Sequence, residues 1–436
     1  MGQFWETSNR SRFESSQTKG LAALAGAALL LTACGGGAQG TSSQQSVPAG
    51  ASQEDFKEAL AGMEPVTLTM QLASAPDTAT SSPNEAYAEA VAEWSGGKIT
   101  FDILYAGSRV PVNEMNSALA DGMVDIGYHL PYAEPEKFPA NALATDLMFI
   151  HTPTPVAGSL QIASSWMAVG AGQEDIKSEL TDNGIQPLLP LLPISGSPLL
   201  CSGEPVSSAA EANGKQIRAG SPAHGPAIEM LGATSVSLPT TEVYQGLQRG
   251  VIDCVAAPVV LANTVGLLEV GNSWTMDPEI QLTGSGGAFG INKAVWDGLP
   301  LAARQLMWDR LDVYIEHQFA DMMFGNLQEG IAASHKQGIE FKEWDPQTRE
   351  ALHRHFEQVL QQARTQAPAG IDGSGFVAAA LEANDEWGRI ITEELDYSDT
   401  TAWADVDKWL AENDLDLKPL VDRLVSDVLA PQRPSA

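Results

Sequence analysis

The sequence predicts an α/β protein of two lobes with a ligand cleft between them and a helical C-terminal extension, and three observations point there. The chain opens as strand, helix, strand from Val66; a stretch of fifteen residues recurs 128 positions later; and beyond Pro300 the pattern turns helical and charged.

Val66 to Leu72 reads Val-Thr-Leu-Thr-Met-Gln-Leu, the β-branched alternation of a strand. A helix follows at about Pro83, with Ser82 as N-cap candidate, Pro83 at its first position, and Tyr87, Val91 and Trp94 on one face. Gly96-Gly97 ends it, and Lys98 to Tyr105 is again a strand, which implies a largely parallel sheet. The recurring stretch is Pro111-Val-Asn-Glu114-Met-Asn-Ser-Ala-Leu119-Ala-Asp-Gly122-Met-Val-Asp125. It aligns without gaps on Pro239-Thr-Thr-Glu242-Val-Tyr-Gln-Gly-Leu247-Gln-Arg-Gly250-Val-Ile-Asp253, with five identities in fifteen. Each copy places a Pro before a short helix, an acid in its first turn, a Gly at its end and a strand directly after. Two sources fit: the common helix-Gly-strand grammar met twice, or two lobes on one plan. In the second case the loops after the echo strands, Gly127 to Tyr132 and Val255 to Pro258, border the cleft, because open α/β sheets bind ligands at the carboxyl ends of their strands. Helices are expected near 300–334, 346–365, 375–395 and 400–430, and nothing in that tail suggests chemistry.

At 436 residues the chain can bury a core without metal or disulfide scaffolding. Lys and Arg total 24 against 55 acids, a net charge of −31, which argues against nucleic acid as a partner. The same field opposes an anionic ligand, so local donors in a cleft must supply any attraction and individual arginines gain weight. Residues 21–33 are apolar, too few to span a bilayer but fitting the core of a secretory signal. Leu31-Thr32-Ala33-Cys34 resembles a bacterial lipobox, with Cys34 as the lipidation site and a plain signal peptide as the alternative. An extracytoplasmic, lipid-anchored location follows, periplasmic in a Gram-negative cell, with a flexible tether over 34–65. Cys201 and Cys254 then meet an oxidising compartment, where they pair as a disulfide or pack as two buried thiols.

The block Asn213-Gly-Lys-Gln-Ile-Arg218-Ala-Gly-Ser221, followed by Leu231 to Asp253 and by Gly287-Ala-Phe-Gly-Ile-Asn292-Lys-Ala-Val-Trp296-Asp-Gly-Leu-Pro300, resembles the substrate-binding subunits of TRAP transporters, the DctP family. The resemblance covers roughly residues 66–365. It implies a periplasmic-binding-protein-like fold: lobe I over 66–195 and 283–322, lobe II over 196–282 and 323–365, each a mixed sheet flanked by helices, then a helical extension over 366–436. It also implies an organic acid as ligand, the membrane permease subunits of a TRAP system as partners, and Arg218 as the residue that pairs with the ligand carboxylate. A guanidinium fork matches two carboxylate oxygens, and each charged hydrogen bond is worth about 1.5 to 3 kcal/mol. Ser221, Tyr128, Tyr132, Thr240, Ala257 and Asn292 are the further ligand-contact candidates. Where many relatives have a polar Asn after the second echo strand, this chain has Ala257, and the second Arg of some sialic-acid binders is replaced by the neighbourhood of Pro198. The implied pocket therefore holds one carboxylate and an apolar remainder near Tyr128, Tyr132, Phe289 and Met148, favouring a monocarboxylate with an apolar or aromatic body.

An exported hydrolase is the competing class, but no zinc-protease His pair, Gly-x-Ser-x-Gly elbow or Ser-x-x-Lys pair occurs in a suitable setting. No catalytic residue, cofactor or metal is expected. His129 and His224 lie near the cleft as polar residues that either touch ligand or are satisfied internally. A ligand sensor for a membrane kinase would need the same cleft.

Overall fold

The computed structural model describes residues 45–193, 195–398 and 401–435. The apolar run 21–33, the expected lipidation site Cys34 and the tether as far as residue 44 lie outside the described residues.

Two sheets organise the molecule. The first contains β1 (Val66–Gln71), β2 (Ile99–Leu104), β3 (Ile126–His129) and β4 (Ile185–Pro193). The chain then builds the second from β5 (Leu199–Cys201), β6 (Gln216–Arg218), β7 (Thr234–Val236), β8 (Cys254–Ala256) and β9 (Ser273–Thr275). It returns to the first as β10 (Gly286–Asn292) and ends the second with β11 (Glu340–Lys342). The orders are β2-β1-β3-β10-β4 and β7-β6-β8-β5-β9-β11. In each, a central strand has two parallel neighbours, and a strand from across the molecule adds on antiparallel. The sheets are therefore mixed, and the two-sheet periplasmic-binding-protein-like plan implied by the resemblance is the plan of the protein.

The echo lies at corresponding places in the two sheets. Gly122 and Gly250 end their helices with φ of +69° and +68°, left-handed values that cost glycine little. The aspartate that closes each copy then fixes its strand against the neighbour. A carboxylate oxygen of Asp125 accepts from the Thr69 N–H at 2.7 Å, and one of Asp253 accepts from the Gln216 N–H at 2.7 Å. The backbones reciprocate, Asp125 N to Thr69 O and Asp253 N to Gln216 O. Two lobes on one plan is thus the source of the repeat.

β10 is buried along its whole length, and Gly287 permits that: a Cβ there would lie 2.2 Å from the His129 carbonyl oxygen. β4 forms the edge of the first sheet and carries Pro187, Pro190 and Pro193, which edge strands tolerate. Cys201 and Cys254 sit opposite each other on antiparallel β5 and β8 and form a disulfide. A cross-link closing 53 residues removes unfolded-state entropy worth on the order of 2–4 kcal/mol.

The helices join the lobes. A nearly continuous helical run over 301–337, with a π-helical stretch at Gln318–Gly325, passes from one sheet to the other. The Tyr87 hydroxyl donates to the Met307 carbonyl at one end, and the Trp274 indole of β9 donates to the Ser334 hydroxyl at the other. In the extension, the helix Gly373–Arg389 packs along the buried helix Ala157–Gly172, while Val406–Glu412 packs on Asn326–Gln337. The single expected helix over 400–430 is instead two, Val406–Glu412 and Lys418–Leu424, separated by Asn413 to Leu417.

The stretch expected to be tether needs correction over 45–65. Gln53–Leu60 is a helix whose capping box joins Ser52 and Asp55 and whose Phe56 and Leu60 are buried. Ahead of it, the Val47 N–H donates to Gln305 Oε1 at 2.7 Å and Arg433 holds the Val47 carbonyl. Among the described residues no helix is long and apolar enough to cross a membrane.

Candidate ligand-binding site

Arg218 ends β6 at the carboxyl edge of the second sheet and is only 6% exposed. Its Nε and Nη2 both donate to the Leu238 carbonyl at 3.3 Å. No aspartate or glutamate among the described residues pairs with it, and burial lowers its pKa without making it neutral.

The two-fold plan gives this arginine a counterpart. Gln71 ends β1 as Arg218 ends β6, and Val110 precedes one echo as Leu238 precedes the other. Gln71 Nε2 donates to the Val110 carbonyl at 2.8 Å, while its Oε1 accepts from the Arg109 and Val110 N–H groups. The loop thus consumes both ends of the amide. In the second lobe the guanidinium grips the equivalent carbonyl through one side and leaves Nη1, beside Gly220, uncommitted.

Several candidates gather near it. Tyr132 is almost fully buried, bonds to Ser285 and feels the charge of Arg218. The Ser221 hydroxyl is buried without a hydrogen-bond partner. Thr240 opens the helix Thr240–Gln248, two residues past the carbonyl that Arg218 holds. The Ala257 N–H donates to the Pro198 carbonyl at 3.1 Å, which puts this loop against the first crossover between the sheets. His224 is satisfied internally: the Gly220 N–H donates to Nδ1, so Nε2 carries the proton and donates to the Thr283 carbonyl at 2.8 Å. Burial depresses its pKa to about 4, so it braces the site as a neutral ring.

Other candidates lie elsewhere. Asn292 caps the helix Lys293–Gly298, its Oδ1 accepting from the Val295 N–H and its amide donating to the Leu119 and Ala120 carbonyls. It ends β10 beside the start of β3, opposite the edge where His129 and Tyr132 lie, so the structure does not bring it to Arg218. Phe289 stacks on Tyr314 at 4.5 Å and Met148 is fully buried, both core residues. Tyr128 is half-buried, with its hydroxyl accepting from the Gly287 N–H at 2.7 Å. His129 bonds Asn116 Oδ1 through Nδ1, and burial depresses its pKa to about 3.

Two further polar groups stand in no motif. Ser197 Oγ and Gln281 Oε1 are buried without partners on the two crossovers, which pair backbone to backbone at Ser197 and Leu282. The second crossover runs on from Gln281 to Thr283, whose carbonyl His224 holds, and to Ser285, which bonds Tyr132. A void of about 20 Å³ adjoins the first crossover, lined by Ser195, Pro198, Val259, Met323 and Trp403 among others. Trp403 belongs to the C-terminal extension and is anchored through its indole to the Pro153 carbonyl at 2.9 Å. Among the described residues no three His, Cys, Asp or Glu side chains gather to hold a metal ion.

The family model DctP, bacterial extracellular solute-binding protein, family 7, matches residues 71–366. The ectoine-binding periplasmic protein TeaA of Halomonas elongata is 31% identical over 140 residues, a stretch spanning 31% of this chain and 39% of that relative. A TRAP solute-binding protein from Rhodoferax ferrireducens, solved with copurified benzoate, superposes with a TM-score of 0.64 at 20% identity, covering 74% of this chain and 99% of that one. A marine-metagenome TRAP solute-binding protein specific for aromatic acid ligands, solved with 3-hydroxybenzoate, gives a TM-score of 0.63 at 19% identity with the same coverage. At these identities the two structures establish the shared fold. With the family model spanning most of the described residues, the chain belongs to the bacterial extracellular solute-binding proteins of family 7, DctP.

Proposed function

We propose that this protein captures a small organic acid outside the cytoplasmic membrane and delivers it to the membrane subunits of a TRAP-type transporter, with Arg218 gripping the carboxylate. One observation carries the reading: in a chain with 55 acidic side chains, Arg218 is buried and no carboxylate among the described residues holds it. A buried cation without a counter-ion is costly, and a ligand anion removes that cost on binding. Ser221, Ser197 and Gln281 offer unpaired polar atoms for one further group such as a hydroxyl. Tyr132 and Ala257 supply apolar surface for the rest. A monocarboxylate with an aromatic or apolar body fits this set better than a dicarboxylate, which would present a second charge with no cation to meet it. The benzoate and 3-hydroxybenzoate in the two matched structures are acids of that kind. Lobe I (66–195 with 283–322) and lobe II (196–282 with 323–365) close on the acid about the crossovers, and a lipid on Cys34 holds the protein at the membrane.

A thermal-shift panel of aromatic monocarboxylates, short dicarboxylates and sugar acids tests the reading. A ligand at about 100 times its Kd stabilises the folded protein by about 2.7 kcal/mol, a rise in Tm of a few degrees. The expected result is such a rise with aromatic monocarboxylates; a folded protein that no acid of any class stabilises would refute it. Labelled palmitate should enter the wild type and not Cys34→Ser, and equal labelling would remove the anchor.

A further inference from the structure

A cavity of about 320 Å³ lies away from Arg218, along the edge strand β4, and shares no lining residue with the site described above. Its volume is within the range of small-molecule sites. Leu189 and Leu191 of β4, Met167, Trp296, Trp308 and Leu429 give it an apolar wall. Three charged side chains also line it. Two of them, Glu174 and Lys177, pair with each other at 3.1 Å, and Lys177 reaches Gln432 as well. The third, Arg304, has no carboxylate partner among the described residues, and its Nε is buried without a hydrogen bond. An unmatched guanidinium on an apolar wall, in a chain of net charge −31, calls for an anion with a hydrophobic body.

We infer that this cavity is a second binding site, which takes a medium-chain fatty acid with its carboxylate on Arg304 and its chain against Trp296, Trp308 and Leu429. The site is separate from solute capture and does not depend on Arg218. Its closing elements are the π-helical segment Val425–Leu429 and the residues through Ser435, so occupancy ties the C-terminal segment to the first sheet.

Octanoate is the probe, titrated into the full-length folded protein by calorimetry with tryptophan fluorescence as a second readout. Arg218→Ala, which no longer grips an acid at the solute site, is expected to retain octanoate binding, and the variants that follow are made in that background. Arg304→Met, which keeps the apolar stem, should bind at least about tenfold more weakly, the loss of a charge-assisted hydrogen bond. Ala171→Phe, which fills the cavity and leaves Arg304 in place, should abolish binding; it serves as the independent variant if Arg304→Met does not fold. Octanamide should bind Arg218→Ala as weakly as octanoate binds Arg304→Met. Unchanged octanoate affinity in Arg304→Met or Ala171→Phe would overturn the site, as would loss of binding in Arg218→Ala or no binding to wild type.

Discussion

Arg218→Ala is expected to lower affinity for the carboxylate ligand by roughly 2–5 kcal/mol, about 30-fold or more, the cost of removing one member of a desolvated charge pair. Without ligand, the same substitution should leave Tm nearly unchanged or raise it. It removes a buried cation that no carboxylate among the described residues offsets, at the cost of the hydrogen bonds to the Leu238 carbonyl. That split separates a ligand-binding role from a structural one, because a residue kept for folding loses stability first. Arg218→Lys should fall between: the charge remains, but one ammonium cannot hold the Leu238 carbonyl and present a planar fork to a carboxylate at once. Calorimetry with the acid found in the panel reads the affinities. Equal affinity for wild type and Arg218→Ala would reject the clamp.

Acidification is expected to destabilise the protein steeply below about pH 6.5. Burial depresses the pKa of His129 to about 3 and those of His151 and His224 to about 4, so all three are neutral when folded. The unfolded chain binds protons at these rings near pH 6.5, and wherever it binds more protons than the folded state, stability falls as pH falls. Their contribution is complete above the unfolded value and is lost as pH descends toward the folded one. Each ring supplies a slope of up to about 1.4 kcal/mol per pH unit, so the three together approach about 4. Asp146, its carboxyl pushed up to about 6 by partial desolvation, acts in the opposite sense, but as a residue in contact with solvent it has the smaller share. Denaturant unfolding at pH 7.5, 6 and 5 should therefore show a falling midpoint, and His224→Gln should flatten the dependence. A midpoint constant across that range would contradict the assigned protonation states.

Much of this architecture is legible from a few residues. The echo announces itself through Pro, Gly and Asp because each does a job that few other residues can do: start a helix, leave it at positive φ, and pin the next strand to its neighbour. The expectation for Arg218 rests on the block around it, to which the structure adds its burial and its place at the end of β6. Asn292 misled because a sequence does not display strand direction: β10 runs antiparallel to β3, so the residue ending it lies at the edge away from the cleft. The helix Gln53–Leu60 escaped notice in a polar stretch where only Phe56 and Leu60 mark its buried face. Ser197 and Gln281 could not be found, since separate crossovers bring them together and neither stands in a motif. The relation between Gln71 and Arg218 was hidden as well, because the aligned stretch begins one residue after the carbonyls that both side chains hold.

In the proposed function, a buried arginine with no carboxylate partner among the described residues selects a carboxylate ligand. Calorimetric titration of wild-type protein with one acid and with its primary amide, equal in shape but uncharged, tests that claim most directly. The acid should bind at least about 30-fold more tightly than the amide, and the difference should shrink to a few-fold in Arg218→Ala. Equal affinity of acid and amide for the wild type would contradict it.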